Sequence, residues 1–286
     1  MSKFLEDFKK KIEETQNANM FFISEYQNGK IESVNLANTS LCQDVYSVAK
    51  TFVVTAIGLL VDRGLLSVDE ILTDILMGEL PETYNKVWDK TTVEMLMLHK
   101  VGLPVGFLDI DAADSTTFGE DYLSYVLNYP VSEDFDPQKA EFTYTDAVFY
   151  LLSRVVEKRA GMGTDNFLWE NLFYPTGCKE AAWSHCPKGH AMGATGLYIR
   201  AQEMVKLGMI YLNGGVYEDK RILSEQWVDK AIKNGYELYP LAGGKAYGKG
   251  GYAGQMFMVV PEKGRVVAWT GFGDNDFVAF VANYED

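Results

Sequence analysis

The chain has 286 residues, 47% of them hydrophobic, a length that can bury the core of one domain or of two lobes. Its net charge of −14 argues against nucleic acids and anionic membranes as partners. The apolar runs end well short of the roughly 18 residues that a membrane span needs. Three cysteines provide no disulfide framework, and the charged N-terminus lacks the features of a signal peptide. We therefore expect a cytoplasmic protein that does not attach to membranes.

The N-terminal part of the chain predicts one helix and two strands. Residues 2–16 carry an apolar stripe at helical spacing, which indicates an amphipathic helix. Residues 20–26 and 31–36 flank a turn at Asn28 and Gly29, a pattern typical of two strands joined as a hairpin.

An almost entirely apolar segment, residues 47–62, follows and predicts a helix that is buried on all sides. Ser47 and Lys50 stand three residues apart at its start, so one helical turn places both side chains on the same face. A lysine held in a desolvating cleft can accept the proton of a serine hydroxyl, and the helix N-terminus favours a developing oxyanion. The alternative is a serine at a helix start with a solvated lysine one turn later, and the pair alone does not decide between them.

The middle of the chain offers two groups of metal-ligating residues, and neither has the spacing of a known metal site. Residues 107–143 hold nine acidic residues and one basic residue, but Asp109, Asp111 and Asp114 lack the glycine and terminal glutamate of a calcium loop. A solvated acidic face is favoured there, and an acidic rim that attracts cationic substrates is the other alternative.

A possible zinc site involves residues that come close together further along the chain, namely Cys178, His185, Cys186 and His190. They contain no C-x-x-C pair and no regular ligand spacing, so we expect no metal there. The sequence implies no organic cofactor either.

The C-terminal part of the chain returns to strands after helices predicted at 146–160, 165–173, 200–213 and 224–234. A hairpin is predicted from 255–260 and 265–270, with a third strand at 276–284. Strands at both ends with helices between them predict an α+β fold. Its antiparallel sheet comes from N- and C-terminal strands flanked by helices, beside a mainly helical lobe.

Three motifs, in order along the chain, carry a resemblance to a known family. They are Ser47-x-x-Lys50, Tyr144-Thr145-Asp146, and Lys249-Gly250-Gly251 on a strand before Pro261. Together they resemble the serine beta-lactamase and penicillin-binding-protein superfamily, closest to the branch of class C beta-lactamases, related esterases and D-aminopeptidases. The resemblance runs from about residue 20 to 284 and implies one beta-lactamase/transpeptidase-like domain over 1–286. In it, about 1–60 and 195–286 would form the sheet lobe and about 61–194 the helical lobe.

The first two motifs imply the catalytic residues. By this resemblance Ser47 is the acylated nucleophile, Lys50 holds it by a hydrogen bond, and Tyr144 is the partner base, since a phenol near cations ionises more readily. His99, in a turn similar to one that the family shares, is expected to be structural. On its own Tyr144 would be read as a core aromatic residue that precedes a helix.

The third motif implies the substrate-binding strand. Lys249 would supply positive charge to Tyr144 and to a substrate carboxylate, and Gly250 and Gly251 would let the substrate approach closely. The N–H groups of Ser47 and Tyr252 would form the oxyanion hole. The alternative reading of this motif is a turn before a strand.

Two positions depart from the family pattern. Asp146 stands where the family has Asn, and a carboxylate cannot donate a hydrogen bond to a substrate carbonyl. Asp146 is also a candidate N-cap for the 147–160 helix, or a partner of Lys50 that would weaken the lysine as a base. Gly250 stands where true beta-lactamases have Thr, which removes a hydroxyl near the drug's carboxylate. Both changes argue against efficient penicillin hydrolysis.

The sequence therefore predicts a serine hydrolase that acts through an acyl-enzyme on a small ester or amide, with carboxylesterase-like activity favoured. A beta-lactamase or a D-amino-acid peptidase or amidase is the alternative among enzymes. A non-catalytic, ligand-binding relative is the alternative outside enzymes, and Asp146 is the feature that supports it.

Overall fold

The computed structural model describes residues 1–132, 134–273 and 276–286. Glu133, one of the acidic residues of the 107–143 segment, lies outside the described residues. The chain divides into two compact units. The first consists of Met1–Thr51, Leu172–Ala182 and Leu197–Asp286, and the second of Phe52–Asn171 and Trp183–Gly196.

The secondary structure of the described residues mixes helices with antiparallel strands. The strands are β1 (Met20–Gln27), β2 (Lys30–Asn35), β3 (Gln43–Asp44), β4 (Ala181–Trp183), β5 (Leu197–Ile199), β6 (Val216–Tyr217), β7 (Lys220–Arg221), β8 (Tyr239–Leu241), β9 (Ala246–Gly250), β10 (Met256–Val260) and β11 (Arg265–Gly271). The α-helices are α1 (Lys3–Glu13), α2 (Ala49–Asp62), α3 (Leu72–Ile75), α4 (Val93–Met97), α5 (Tyr122–Leu127), α6 (Ala147–Ala160), α7 (Thr164–Leu168), α8 (Ala201–Leu212), α9 (Glu225–Asn234) and α10 (Val278–Asn283).

The first unit is built on a six-stranded sheet with the order β2-β1-β11-β10-β9-β8. All neighbouring strands in this sheet run antiparallel, and β1 from the start of the chain pairs directly with β11 from its end. The sheet from both ends of the chain confirms the α+β fold. β11 is buried along its whole length, and its apolar residues Val266, Val267, Ala268 and Trp269 alternate between the two faces of the sheet.

Helices α1 and α10 cover one face of the sheet, and α8 covers the other. Phe8 of α1 packs edge-on against Trp269 and Phe277 in the core of the first face. Gly208 of α8 lies against Val266, whose side chain points to the opposite face from its neighbour Val267. β9, which carries the third motif, is thereby held in a sheet that is packed on both sides.

The predicted third strand at 276–284 is wrong, because this segment forms the helix α10. Its apolar residues Phe277, Val281 and Tyr284 recur at intervals of three to four residues, which is the period of a helix. The Asp276 side chain accepts a hydrogen bond from the Val278 N–H at the helix start.

The second unit is mainly helical in its described residues. α6 is its buried central helix, and α4 and α7 pack against it. The helix ends at Gly161, whose φ of 70° is the left-handed conformation that glycine adopts readily at a helix C-terminus. None of the helices in the described ranges combines the length and the apolar character that crossing a membrane requires.

Candidate active site

The residues around Ser47 form a short strained turn that opens α2. Ser47 lies in the 3-10 turn Tyr46–Val48, which runs directly into the helix. Tyr46 has a φ of 48°, uncommon for a residue with a side chain, and its N–H donates to Asp44 Oδ1 at 2.8 Å. Backbone strain of this kind is concentrated at functional sites, where the surrounding contacts hold it in place.

Lys50 and Ser47 meet as the sequence spacing predicts. Lys50 Nζ lies 2.9 Å from Ser47 Oγ, and the lysine side chain is fully buried while the serine is half-buried. A buried ammonium is stable only among polar partners, so the solvated-lysine alternative does not describe this position. A lysine held on a serine hydroxyl in a desolvated setting is an arrangement that activates a nucleophile.

The third motif lies at the end of a strand, and its lysine forms an ion pair that the sequence does not predict. Lys249 and Gly250 belong to β9, where Lys249 pairs with Phe257 of β10, while Gly251 leaves the strand and precedes a short 3-10 turn. The motif thus combines a strand end with the start of a turn. The Lys249 ammonium contacts the Glu237 carboxylate, and both side chains are almost completely buried. Lys249 Nζ also lies 5.0 Å from the centre of the Tyr239 ring.

Glu237 is held by contacts on both its side chain and its backbone. The Tyr239 hydroxyl donates to Glu237 Oε1 at 3.1 Å. The Glu237 carbonyl accepts from Thr51 Oγ1 at 3.2 Å, which ties it to the first turn of α2 beside Lys50. Its φ of 52° lies in the left-handed region, a costly conformation for glutamate. These contacts fix the carboxylate against Lys249.

Gly251 brings the end of β9 against the turn that carries Ser47. A Cβ atom at Gly251 would lie only 2.4 Å from the Val45 carbonyl oxygen, two residues before Ser47. The rings of Tyr46 and Tyr252 meet edge-to-face at 5.6 Å between centroids. The structure thus brings Gly251 and Tyr252 close to the Ser47 turn. The oxyanion hole assigned to the N–H groups of Ser47 and Tyr252 stays a prediction.

In the second unit, His99 supports the turn that carries Tyr144. The His99 ring stacks on the Tyr144 ring at 4.9 Å between centroids, and its Nδ1 accepts the Thr145 N–H at 3.2 Å. His99 is fully buried with a φ of 54°, and its carbonyl accepts the Thr143 N–H. These contacts agree with the structural role predicted for His99. The catalytic role of Tyr144 stays a prediction.

Asp146 occupies the N-cap position of α6, but its side chain does not make the capping hydrogen bond to that helix. Its carboxylate instead lies close to those of Asp109 and Asp111, with one oxygen of each within 4.8 Å of the others. Asp111 also accepts a hydrogen bond from the Thr195 hydroxyl. The alternative in which Asp146 caps this helix through its side chain is therefore not observed. Asp146 joins a carboxylate cluster, a set of oxygen donors of the type that hard cations prefer.

The residues considered for zinc make separate contacts. In the second unit His185 pairs with Asp165, and His190 contacts Glu157. The Tyr150 hydroxyl approaches Cys186 Sγ at 3.5 Å. Cys178 belongs to the first unit. Within the described residues, the side chains that could jointly hold a metal ion are the three aspartates of the carboxylate cluster.

A cavity of about 530 Å³ lies along the end of β9 in the first unit. The residues that line it are Gly250, Gly251, Tyr252, Ala253, Gly254, Gln255, Met256, Phe272, Gly273, Asp276 and Val278. Two aromatic side chains in this lining, Tyr252 and Phe272, are exposed. Among the described lining residues, Asp276 carries the only charge.

Comparison with protein families decides the relationship that the three motifs suggest. The model of the family described as Beta-lactamase matches residues 29–278. The chain belongs to this beta-lactamase family. The match includes Ser47, Lys50, Tyr144 and the Lys249 strand, so all three motifs lie inside the region that defines membership.

The individual relatives have low sequence identity to this chain. The chain is 26% identical to penicillin-binding protein 4 of Amycolatopsis lactamdurans, over 78% of this chain and 70% of that protein. It is 22% identical to the 6-aminohexanoate-dimer hydrolase of Paenarthrobacter ureafaciens, over 77% of this chain but only 58% of the hydrolase. The octameric penicillin-binding protein homologue of Pyrococcus abyssi superposes with a TM-score of 0.70 at 17% identity, covering 95% of this chain and 73% of that one.

Sequence reasoning missed Glu237, Tyr239 and Thr51 as neighbours of the predicted site residues. A signal for Glu237 was present, because it is a single acidic residue between the apolar residues Tyr236 and Leu238. A carboxylate in such a segment is expected to have a buried cationic partner. Its partner lies twelve residues further on, and no local pattern identifies it.

Proposed function

We propose that this protein is a serine hydrolase that forms an acyl-enzyme at Ser47 and cleaves small esters or amides. The observation that carries the proposal is the 2.9 Å contact between buried Lys50 Nζ and Ser47 Oγ at the start of α2. Membership of the beta-lactamase family supports it, and one relative is named a hydrolase of a 6-aminohexanoate dimer.

In the proposed reaction Ser47 Oγ attacks the substrate carbonyl carbon and transfers its proton to the base formed by Lys50 and Tyr144. The tetrahedral intermediate collapses, the bond to the leaving group breaks, and the leaving group takes up that proton. Water then attacks the acyl-enzyme carbonyl carbon, and its proton passes to the same base. The bond between the acyl carbon and Ser47 Oγ breaks, the base returns the proton to Ser47 Oγ, and the acid product is released. The N–H groups of Ser47 and Tyr252 are proposed to stabilise the oxyanion.

Carboxylesterase-like activity is the preferred form of this proposal. Gly250 lacks the hydroxyl that true beta-lactamases have at this position, and Asp146 cannot donate to an acylamide carbonyl. The Asp146 carboxylate also lies beside the carboxylates of Asp109 and Asp111. This position therefore presents a group of hydrogen-bond acceptors, whereas the Asn of the family would present an amide donor. We therefore expect slow or no turnover of a chromogenic cephalosporin.

The test is steady-state hydrolysis of 4-nitrophenyl butyrate by the wild type and by Ser47→Ala, Lys50→Met and Tyr144→Phe. We expect Ser47→Ala to abolish enzymatic turnover, and Lys50→Met and Tyr144→Phe each to lower kcat/KM by on the order of a hundredfold or more. Esterase activity that survives Ser47→Ala would contradict the assignment of the nucleophile.

A parallel panel of amides separates the two enzymatic forms of the proposal. D-alanine 4-nitroanilide and a linear 6-aminohexanoate dimer are included, because the relatives' names make an amidase the main alternative. If the kcat/KM for these amides is higher than for the ester, the enzyme is better described as an amidase than as an esterase. Saturable binding without turnover of any substrate would favour the non-catalytic alternative.

A further inference from the structure

The charge of Lys249 is already matched by a buried carboxylate within the first unit. The ammonium contacts Glu237, and the side chains of Lys249 and Glu237 are 6% and 0% exposed. An ion pair that is removed from water presents almost no net charge to its surroundings, because the two fields cancel over a short distance. A further carboxylate at this lysine would be attracted by the ammonium and repelled by Glu237.

Glu237 cannot easily withdraw from Lys249 to make room for an anionic group. Its carboxylate accepts from the Tyr239 hydroxyl at 3.1 Å, and its carbonyl accepts from Thr51 at 3.2 Å. The φ of 52° at Glu237 is costly, and these contacts hold the backbone in that conformation. Separating the pair would leave two uncompensated buried charges, which is far more costly than keeping it.

The described lining of the cavity next to this strand includes no positive group. It is mostly apolar and glycine-rich, and the charged side chain among these described residues is the exposed carboxylate of Asp276. Among the described lining residues, a substrate group that extends from β9 into the cavity meets aromatic rings and the negative charge of Asp276. Such a lining favours uncharged apolar or aromatic groups and disfavours anions.

We infer that Glu237 sets the substrate class of this site by compensating Lys249, so that the group bound beside β9 is uncharged rather than a carboxylate. This inference rests on the proposed hydrolase function and adds the charge of the group that the enzyme accepts. Glu237 acts through Lys249 and is a specificity-determining residue that does not itself react.

The test compares two esters that differ only in one charge, 3-carbamoylphenyl butyrate and 3-carboxyphenyl butyrate. For the wild type we expect kcat/KM of the carboxy ester to be less than one tenth of that of the carbamoyl ester. Glu237→Gln removes the negative charge that contacts the Lys249 ammonium and is expected to raise this ratio at least tenfold. Both esters are measured with the same preparation of each variant. A loss of active protein therefore lowers both kcat/KM values equally and leaves their ratio unchanged.

Glu203→Gln is the matched control, because Glu203 also forms a buried ion pair in the same unit, 2.7 Å from Lys206. It is expected to lower stability while leaving the ratio as in the wild type. Asp276→Asn is a second variant for the case in which Glu237→Gln does not fold. Asp276 is exposed, so we expect this substitution to leave folding intact. Removing this charge from the cavity is expected to raise the ratio about threefold.

Three results would overturn the inference. A wild type that hydrolyses both esters equally well, in a Ser47-dependent manner, contradicts the inference and leaves the proposed function standing. An unchanged ratio in folded Glu237→Gln, or in Asp276→Asn where only that variant folds, contradicts it in the same way. Absence of Ser47-dependent hydrolysis of either ester contradicts the proposed function and the inference with it.

Discussion

At the scale of single residues, Gly251 is constrained more tightly than its neighbour Gly250. A Cβ at Gly251 would lie 2.4 Å from the carbonyl oxygen of Val45, which is backbone and cannot turn aside. At Gly250 the nearest atom would be the flexible Met256 methyl group at 3.3 Å. Because Val45 lies two residues before Ser47, a shift caused by a larger side chain at Gly251 would move the turn that carries Ser47.

We predict that Gly251→Ala destabilises the protein by about 1–3 kcal/mol, the usual cost of overpacking, and lowers kcat/KM at least tenfold by displacing the Ser47 turn. Gly250→Ala is the matched variant and should stay within about 1 kcal/mol of the wild-type stability. Urea unfolding and ester kinetics on both variants check this. Equal unfolding midpoints for the two would show that the approach of Gly251 to Val45 is not tight.

At the scale of secondary-structure elements, segments with a clear period could be predicted from the sequence. The stripe on α1 and the Ser47–Lys50 spacing at α2 are local patterns, and the structure contains both. The error at α10 arose from a short apolar segment, in which strand and helix are hard to distinguish. The segment packs onto Phe4 and Phe8 of α1, contacts that its own residues do not indicate.

The neighbours of the site residues could not be predicted, because they are joined by distant contacts. Thr51 and Glu237 are 186 residues apart in sequence, and their hydrogen bond depends on α2 and the segment before β8 meeting in the folded chain. Asp146 shows the same limitation. Its position before α6 predicted a cap, while tertiary contacts placed its carboxylate beside Asp109 and Asp111.

An ion-pair network anchors α6 within the second unit and makes stability depend on pH. Lys158 Nζ lies 2.9 Å from Glu79, and Arg154 contacts the same carboxylate. Burial alone would raise the pKa of Glu79, but Lys158 and Arg154 outweigh it and lower the pKa below its ordinary value of 4.5. A lowered pKa in the folded state stabilises the protein above about 4.5, and this stabilisation is lost as the pH falls through the folded-state pKa.

We predict that Glu79→Gln is less stable than the wild type at pH 7 by up to about 1 kcal/mol, since the pair is partly exposed. The difference should shrink as the pH is lowered below 4.5, the ordinary pKa of the group. Thermal unfolding of both proteins between pH 3 and pH 7 measures this stability difference. The stability of Lys158→Met should likewise approach that of the wild type as the pH is lowered. A difference that is constant over this range would contradict the prediction.

At the scale of the whole molecule, the three cysteines are free, and the pKa of two of their thiols is raised. Cys42, Cys178 and Cys186 form no disulfide. Burial, together with the nearby Glu203, raises the pKa of Cys178 to about 11. Burial and the Glu180 side chain also raise the pKa of Cys42. Because the thiolate is the reactive form, both thiols should be slow nucleophiles at neutral pH.

We predict that the native protein reacts with an aromatic disulfide reagent at pH 8 more slowly than a free thiol, by on the order of a hundredfold at Cys178. The rate should increase as the pH is raised toward 11, the pKa of this thiol. In urea without reductant all three cysteines should be alkylated, which mass spectrometry counts. Rapid stoichiometric reaction of the native protein, or fewer than three alkylations, would be inconsistent with this description.

The central claim is that Ser47 is an activated nucleophile, and covalent labelling tests it without knowledge of the substrate. Wild type and Ser47→Ala are incubated with a fluorophosphonate, and their intact masses are measured. We predict one adduct on the wild type, mapped to Ser47 by peptide analysis, and none on the variant. An unlabelled wild type, or equal labelling of both proteins, would contradict it.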